Sequence, residues 1–126
     1  MNIPESLKFS DQHLWVSIES PDSVACGITD HAQDTLGDIV FIEAPAIGTQ
    51  LSMGQPCGIV ESVKTASDLH APVTGIVTGI NQDLLAAPEQ ANVTPYSAWI
   101  FKLKPAHSAE LDQLLDAKAY RKLLDA

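Results

Sequence analysis

Basic residues are scarce in this chain: seven Lys and Arg stand against sixteen Asp and Glu, for a net charge of −9. Nucleic-acid binding draws on a Lys/Arg surface that displaces phosphate counterions, so the balance argues against nucleic acid as a partner. Cysteine is equally sparse. Cys26 and Cys57 lie in apolar or Gly-rich strand-like stretches, form no CxxC pair and give no disulfide framework, so they read as reduced packing residues. Long apolar runs are missing too. None reaches the roughly 20 residues needed to span a bilayer, so no membrane association is expected. The opening MNIPESLKFSDQHLW has no basic segment followed by an apolar stretch, so neither a secretion signal nor a transit peptide is read and a cytoplasmic location is expected. His13, His31, His70 and His107 are scattered without metal-ligand spacing, and no metal site is expected.

What is present describes a globular protein: 45% hydrophobic and 18% charged residues over a length of 126, which fits one domain, 1–126. Short β-type runs occupy 14–18 and 24–28, separated by the turn-forming SPDS (20–23). Thr29 or Asp30 can cap a short helix near 30–36, which Gly37 can end. DIVFIEAP (38–45) reads as a buried strand. From 46 to 82, Gly and Pro interrupt intervals of Val, Ile and Leu, the pattern of a compact β sandwich or barrel. Residues 83–98 mix helix and loop signals, and WIFKLKP (99–105) alternates Trp99, Phe101 and Leu103 against Lys102 and Lys104 as a strand does. A C-terminal helix of about fifteen residues is expected from Ser108, with Leu111, Leu114, Leu115, Ala119, Leu123 and Leu124 as its apolar face.

The chemistry centres on ESVKTASDLHAPVTGIV (61–77), where Lys64 stands between two β-type stretches amid the small or turn-forming Thr65, Ala66, Ser67 and Asp68. A lysine at a hairpin tip is open to a modifying enzyme on all sides. A long arm attached there by an amide would lose the charge and gain reach, so that a tethered group could visit several active sites at high effective concentration. Spacing alone goes no further, because a lysine in a surface turn is ordinarily a solvated charge.

Several blocks in register carry the argument on. ESLKFSDQHLW, GITDHAQDTLGDIVFIEAPAIG (27–48), ESVKTASDLHAPVTGIV and NVTPYSAWIFKLKP (92–105) with the final helix resemble, in order, the segments of the glycine cleavage H-protein family. The resemblance implies a mostly β barrel-sandwich hybrid of the lipoyl/biotinyl-carrier type, with lipoate amide-linked to Lys64. It implies a non-catalytic shuttle. Glycine decarboxylase would load an aminomethyl group, aminomethyltransferase would take it, and dihydrolipoamide dehydrogenase would reoxidise the arm. Lipoate-attaching enzymes are expected as further partners, and a monomer is the simplest state for a shuttle. Glu61 and Asp68 fall on the family's acidic positions beside the lysine.

Two departures stand out. The family's His-Glu-Trp is His13-Leu14-Trp15 here, and the stretch before Trp99, Tyr96-Ser97-Ala98, is shorter than the family's acidic, Gly-rich one. The resemblance places the missing glutamate in the cleft that receives the loaded arm, where a carboxylate pairs with a protonated amine and Leu14 can only pack. The second reading is therefore an H-protein-like lipoate-binding paralogue carrying sulfur intermediates for a heterodisulfide-reductase-like sulfur-oxidation complex. A third is relay of lipoyl groups during cofactor assembly. A stand-alone enzyme is disfavoured, since Thr29-Asp30-His31 is adjacency rather than a triad. A biotin carrier usually has methionines about its lysine, and Val63 and Thr65 flank Lys64.

Overall fold

A computed structural model describes residues 2–125. In chain order these are β1 (Lys8–Phe9), β2 (Leu14–Ser20), β3 (Ser23–Ile28), α1 (Asp30–Leu36), β4 (Ile39–Glu43), β5 (Gln50–Leu51), β6 (Pro56–Ser62), β7 (Ala66–His70), β8 (Gly75–Ile80), α2 (Gln82–Ala86), α3 (Gln90–Val93), β9 (Phe101–Pro105), α4 (Ser108–Gln113) and α5 (Ala117–Asp125). Six strands form one antiparallel sheet in the order β1-β2-β3-β9-β8-β5, and three form a second, β4-β6-β7.

The period-two alternation of strands explains how the larger sheet is used. Leu14 and Val16 of β2, with Val24, Cys26 and Ile28 of β3, enter the main core. There they meet Ile42 and Val60 of the smaller sheet and Phe101 and Leu103 of β9. Trp15 and Ala25, on the opposite face, join Ile3, Phe9, Ala117 and Tyr120 in a second cluster. Each wholly buried side chain of this size stabilises the fold by about 1.5–3 kcal/mol relative to exposure.

Helix α1 forms as the sequence implies. Thr29 Oγ1 accepts the Ala32 amide at 3.2 Å, and Gly37 ends the helix at φ +82° while its N–H bonds Gln33 O.

Three expectations are corrected. The DIVFIEAP strand is buried only at Ile39 and Ile42: β4 lies at an edge of the small sheet with a register shift between Ile39 and Phe41, leaving Val40 and Phe41 about half exposed. The strand read from Trp99 begins at Phe101, and Trp99 instead lies half-buried under the Lys102 ammonium, 4.9 Å from its ring centre. The C-terminal helix is two helices. His107, not Ser108, precedes the first, and Leu114 is extended. Phe9 and Leu115 exchange two backbone hydrogen bonds of 2.8 Å there, so the strand bridge replaces helical bonding, and Asp116 Oδ1 caps the next helix through the Ala119 amide at 2.8 Å. The buried face of α5 is Ala117 and Tyr120, while Leu123 is exposed.

Candidate functional site

Lys64 sits at the tip of the β6–β7 hairpin, and the turn is built by Ser62. Its hydroxyl accepts the amides of Lys64 (3.2 Å) and Thr65 (3.1 Å), and its own N–H bonds Thr65 O at 2.8 Å. The Val63 amide donates to Asp38 O at 3.0 Å, which moors the tip to the chain entering β4. The loop thus has a defined base, and the lysine side chain stands on the solvent side of it.

That side chain crosses Gly37 and places Nζ 3.0 Å from Thr35 O. Thr35 is in the last turn of α1, where carbonyls lack intrahelical partners and favour a cation. A Cβ at Gly37 would only touch Lys64 Cε, at 3.4 Å, so it is the positive φ of +82° rather than space that favours glycine there. Asn92 fixes this corner from α3. Its amide nitrogen donates to Gln33 Oε1 (3.0 Å) and Gly37 O (2.9 Å), and its oxygen accepts the Ile39 amide at 2.8 Å.

Beside the lysine runs a cleft of about 160 Å³. Helix α1 contributes His31, Thr35 and Leu36, the small sheet contributes Val60, Asp68 and Leu69, and His13 and Leu14 line it as well. Thr35, which holds the Lys64 amine, is therefore part of the cleft wall. Asp68 lines it too, whereas Glu61 is exposed on β6 and outside it. Leu14 is 1% exposed, in the wall and in the main core at once. A groove of about 170 Å³ lined by Phe9, Met53, His70 and Leu114 touches the far end of the hairpin at His70 and none of the residues of its tip.

Two of the four histidines that look scattered in sequence come together. His13 and His31 bring their rings to 4.8 Å, and His13 Nδ1 lies 2.8 Å from Tyr120 Oη. Burial and the neighbouring His31 hold His13 below the usual histidine range, with Asp11 acting in the opposite direction. Burial pushes the Tyr120 phenol up to about 12. No sequence spacing announces this group, since His13 and Tyr120 lie 107 residues apart. Among the described residues no set of three His, Cys, Asp or Glu is placed to hold a metal ion. Both cysteines are free; burial raises both thiols, Cys57 to about 11, as suits packing residues. Thr29, Asp30 and His31 do not form a triad: Thr29 bonds Tyr120, and Asp30 accepts from the Asn2 amide and Gln33.

A two-sheet β fold that presents a lysine on a hairpin tip, its amine on a residue of the wall of a cleft, has the architecture of a carrier protein. Residues 7–126 match the family model described as glycine cleavage H-protein. The glycine cleavage system H protein of Nitrosospira multiformis is 51% identical over 126 residues, covering 100% of this chain and 98% of that one. That of Methylobacillus flagellatus is 57% identical over 124 residues, covering 98% and 99%. The crystal structure of the H protein from Mycobacterium marinum superposes with a TM-score of 0.90 at 33% identity, covering 98% of this chain and 100% of that one. The chain belongs to the glycine cleavage H-protein family, lipoate-carrying shuttles that are non-catalytic components of the system.

Proposed function

We propose that Lys64 bears lipoate in amide linkage, and that the protein shuttles an aminomethyl group from glycine decarboxylase to aminomethyltransferase. Dihydrolipoamide dehydrogenase then restores the arm. The whole chain, 1–126, acts as one lipoyl-carrier domain in the cytoplasm. The observation that carries this reading is the position of the Lys64 amine on Thr35 O, at the mouth of the cleft.

The residues fit the group. Acylation removes the ammonium charge and leaves one N–H, which can keep its bond to Thr35 O. The hydrocarbon of the arm then has Leu36, Val60 and Leu69 to lie against. Bound lipoate would supply a disulfide that is reduced as it accepts a one-carbon amine and that is a dithiol, still amide-linked to Lys64, once the carbon has been passed on. The chain's own part is to start the arm at a fixed point and to exclude water from its far end.

Intact-mass analysis tests the proposal, before and after a lipoate-attaching enzyme and then after glycine with glycine decarboxylase. Addition of lipoate at Lys64 followed by an aminomethyl increment is the expected result. Lipoylation without the second increment would favour the other reading, a lipoyl carrier for sulfur intermediates served by a heterodisulfide-reductase-like complex. One observation supports that alternative: Leu14 gives the cleft wall a hydrocarbon where an amine would need a carboxylate.

A further inference from the structure

His13 holds a backbone conformation that side chains rarely adopt, φ +69°, and it is the one non-glycine residue with positive φ among the described residues. A chain of hydrogen bonds holds its ring there. The Ala32 amide donates to Thr29 Oγ1 (3.2 Å), Thr29 Oγ1 lies 2.8 Å from Tyr120 Oη, and Tyr120 Oη lies 2.8 Å from His13 Nδ1. Thr29 and Tyr120 are wholly buried, so each of their protons needs an acceptor inside the protein.

Counting protons fixes the direction. Thr29 Oγ1 already accepts from Ala32, and its own proton has Tyr120 Oη as its only partner among the described residues. The Tyr120 proton must then go to His13 Nδ1, which is therefore bare. The reverse order would leave the Thr29 proton with no acceptor. A neutral His13 consequently carries its proton on Nε2. That nitrogen has no hydrogen-bond partner among the described residues, while the His13 side chain lines the cleft.

We infer that His13 is a further binding group of the carrier site. Its Nε2–H donates a hydrogen bond to an acceptor atom of the arm on Lys64 when that arm lies in the cleft, and Tyr120 positions it. The inference rests on Lys64 bearing the lipoyl arm and goes beyond that reading by assigning the cleft a preference. Sulfur and carbonyl oxygen can accept from an N–H, whereas a protonated amine cannot. With Leu14 beside it, His13 offers a partner to the electron-rich end of an unloaded arm, whereas an ammonium finds its carboxylate only across the cleft at Asp68. The titratable groups facing His13 are His31 from α1, Tyr120 from α5 and Asp11 from its own loop, with Asp68 across the cleft on β7. Burial and His31 together favour the neutral ring that the argument requires.

Two measurements test it. Long-range 15N–1H spectra of the unmodified protein read the His13 tautomer directly. The proton is expected on Nε2, and Tyr120→Phe, which keeps the stack on Phe9 (4.6 Å), should give a tautomer mixture. The second measurement is the rate at which iodoacetamide alkylates the reduced arm of lipoylated protein. His13→Asn retains a polar atom near Nδ1 and accepts positive φ, but has nothing at Nε2. It should alkylate roughly three- to tenfold faster than the parent, as befits the loss of one hydrogen bond. Tyr120→Phe should fall between the two and serves alone if His13→Asn fails to fold. A native proton on Nδ1, or unchanged alkylation in folded variants, overturns the inference. If intact mass shows that Lys64 takes no lipoate, the carrier reading fails and this inference with it, a result visible before any alkylation is run.

Discussion

Among the described residues the Lys64 amine has one partner, a backbone carbonyl, and no carboxylate bonded to it. The side chain therefore contributes little to the fold and is free for chemistry. Lys64→Arg should leave the urea unfolding midpoint unchanged while abolishing the lipoyl mass increment, because a guanidinium is not a substrate for amide formation. Leu14 is the opposite case, part of the core and of the cleft wall together. Leu14→Glu should destabilise by about 1–4 kcal/mol, since a carboxylate must be buried or pull the strand open. It should also raise the His13 pKa. In the parent, His13 is held below 6.5 by burial and His31, so its contribution to stability is complete above pH 6.5 and is lost as pH falls through the lowered folded value. A carboxylate beside the ring shrinks this pH-dependent loss as it brings the folded value back toward 6.5, and the sign inverts only once the folded value passes 6.5, stability then being lost as pH rises through it. NMR titration of His13, together with urea unfolding from pH 5 to 8, reads both effects.

At the scale of elements, two short polar side chains do work that hydrophobic pattern does not reveal. Asp116→Ala removes the cap of α5 and should cost about 1 kcal/mol in urea unfolding. Asn92→Ala removes three hydrogen bonds around Gly37 and should cost about 1–3 kcal/mol, with faster amide exchange at Ile39. These are also the places where the sequence was hardest to read. Helix α1 was legible because Thr29 and Gly37 are local signals that lie at its ends. The break between α4 and α5 was not, because its cause is a bridge from Leu115 to Phe9, more than a hundred positions away. The apolar run in β4 looked buried since period alone cannot tell an edge strand from a central one, and Val40 and Phe41 face outward there. The lysine hairpin was legible from family blocks, and the bare spacing gave only a turn. The His13–Tyr120–Thr29 group was invisible because three elements far apart in the chain compose it.

At the scale of the whole molecule, charge is the property that reaches furthest. The net charge is −9, and acylation of Lys64 removes one positive charge, taking it to −10. Exposed carboxylates lie on the elements about the hairpin: Asp34 on α1, Asp38 before β4, Glu43 on β4, Glu61 on β6 and Asp68 on β7. A partner that must admit the hairpin tip meets this field first, and a basic rim would speed encounter. The rate constant for lipoate attachment, measured as kcat/KM, should therefore fall several-fold between about 20 mM and about 0.5 M salt, as the screening length shrinks from roughly 20 Å to a few ångströms. Asp38→Lys with Glu43→Lys should lower the rate at low salt and flatten its salt dependence, with little effect at high salt. The opposite outcome would be equally informative about the surface. A rate that ignores salt would mean that charge does not steer this encounter, and would shift the docking contribution to the exposed apolar side chains Val40, Phe41 and Val63 around the same tip. Contacts of that kind act after collision and should appear in the dissociation rate rather than in the association rate.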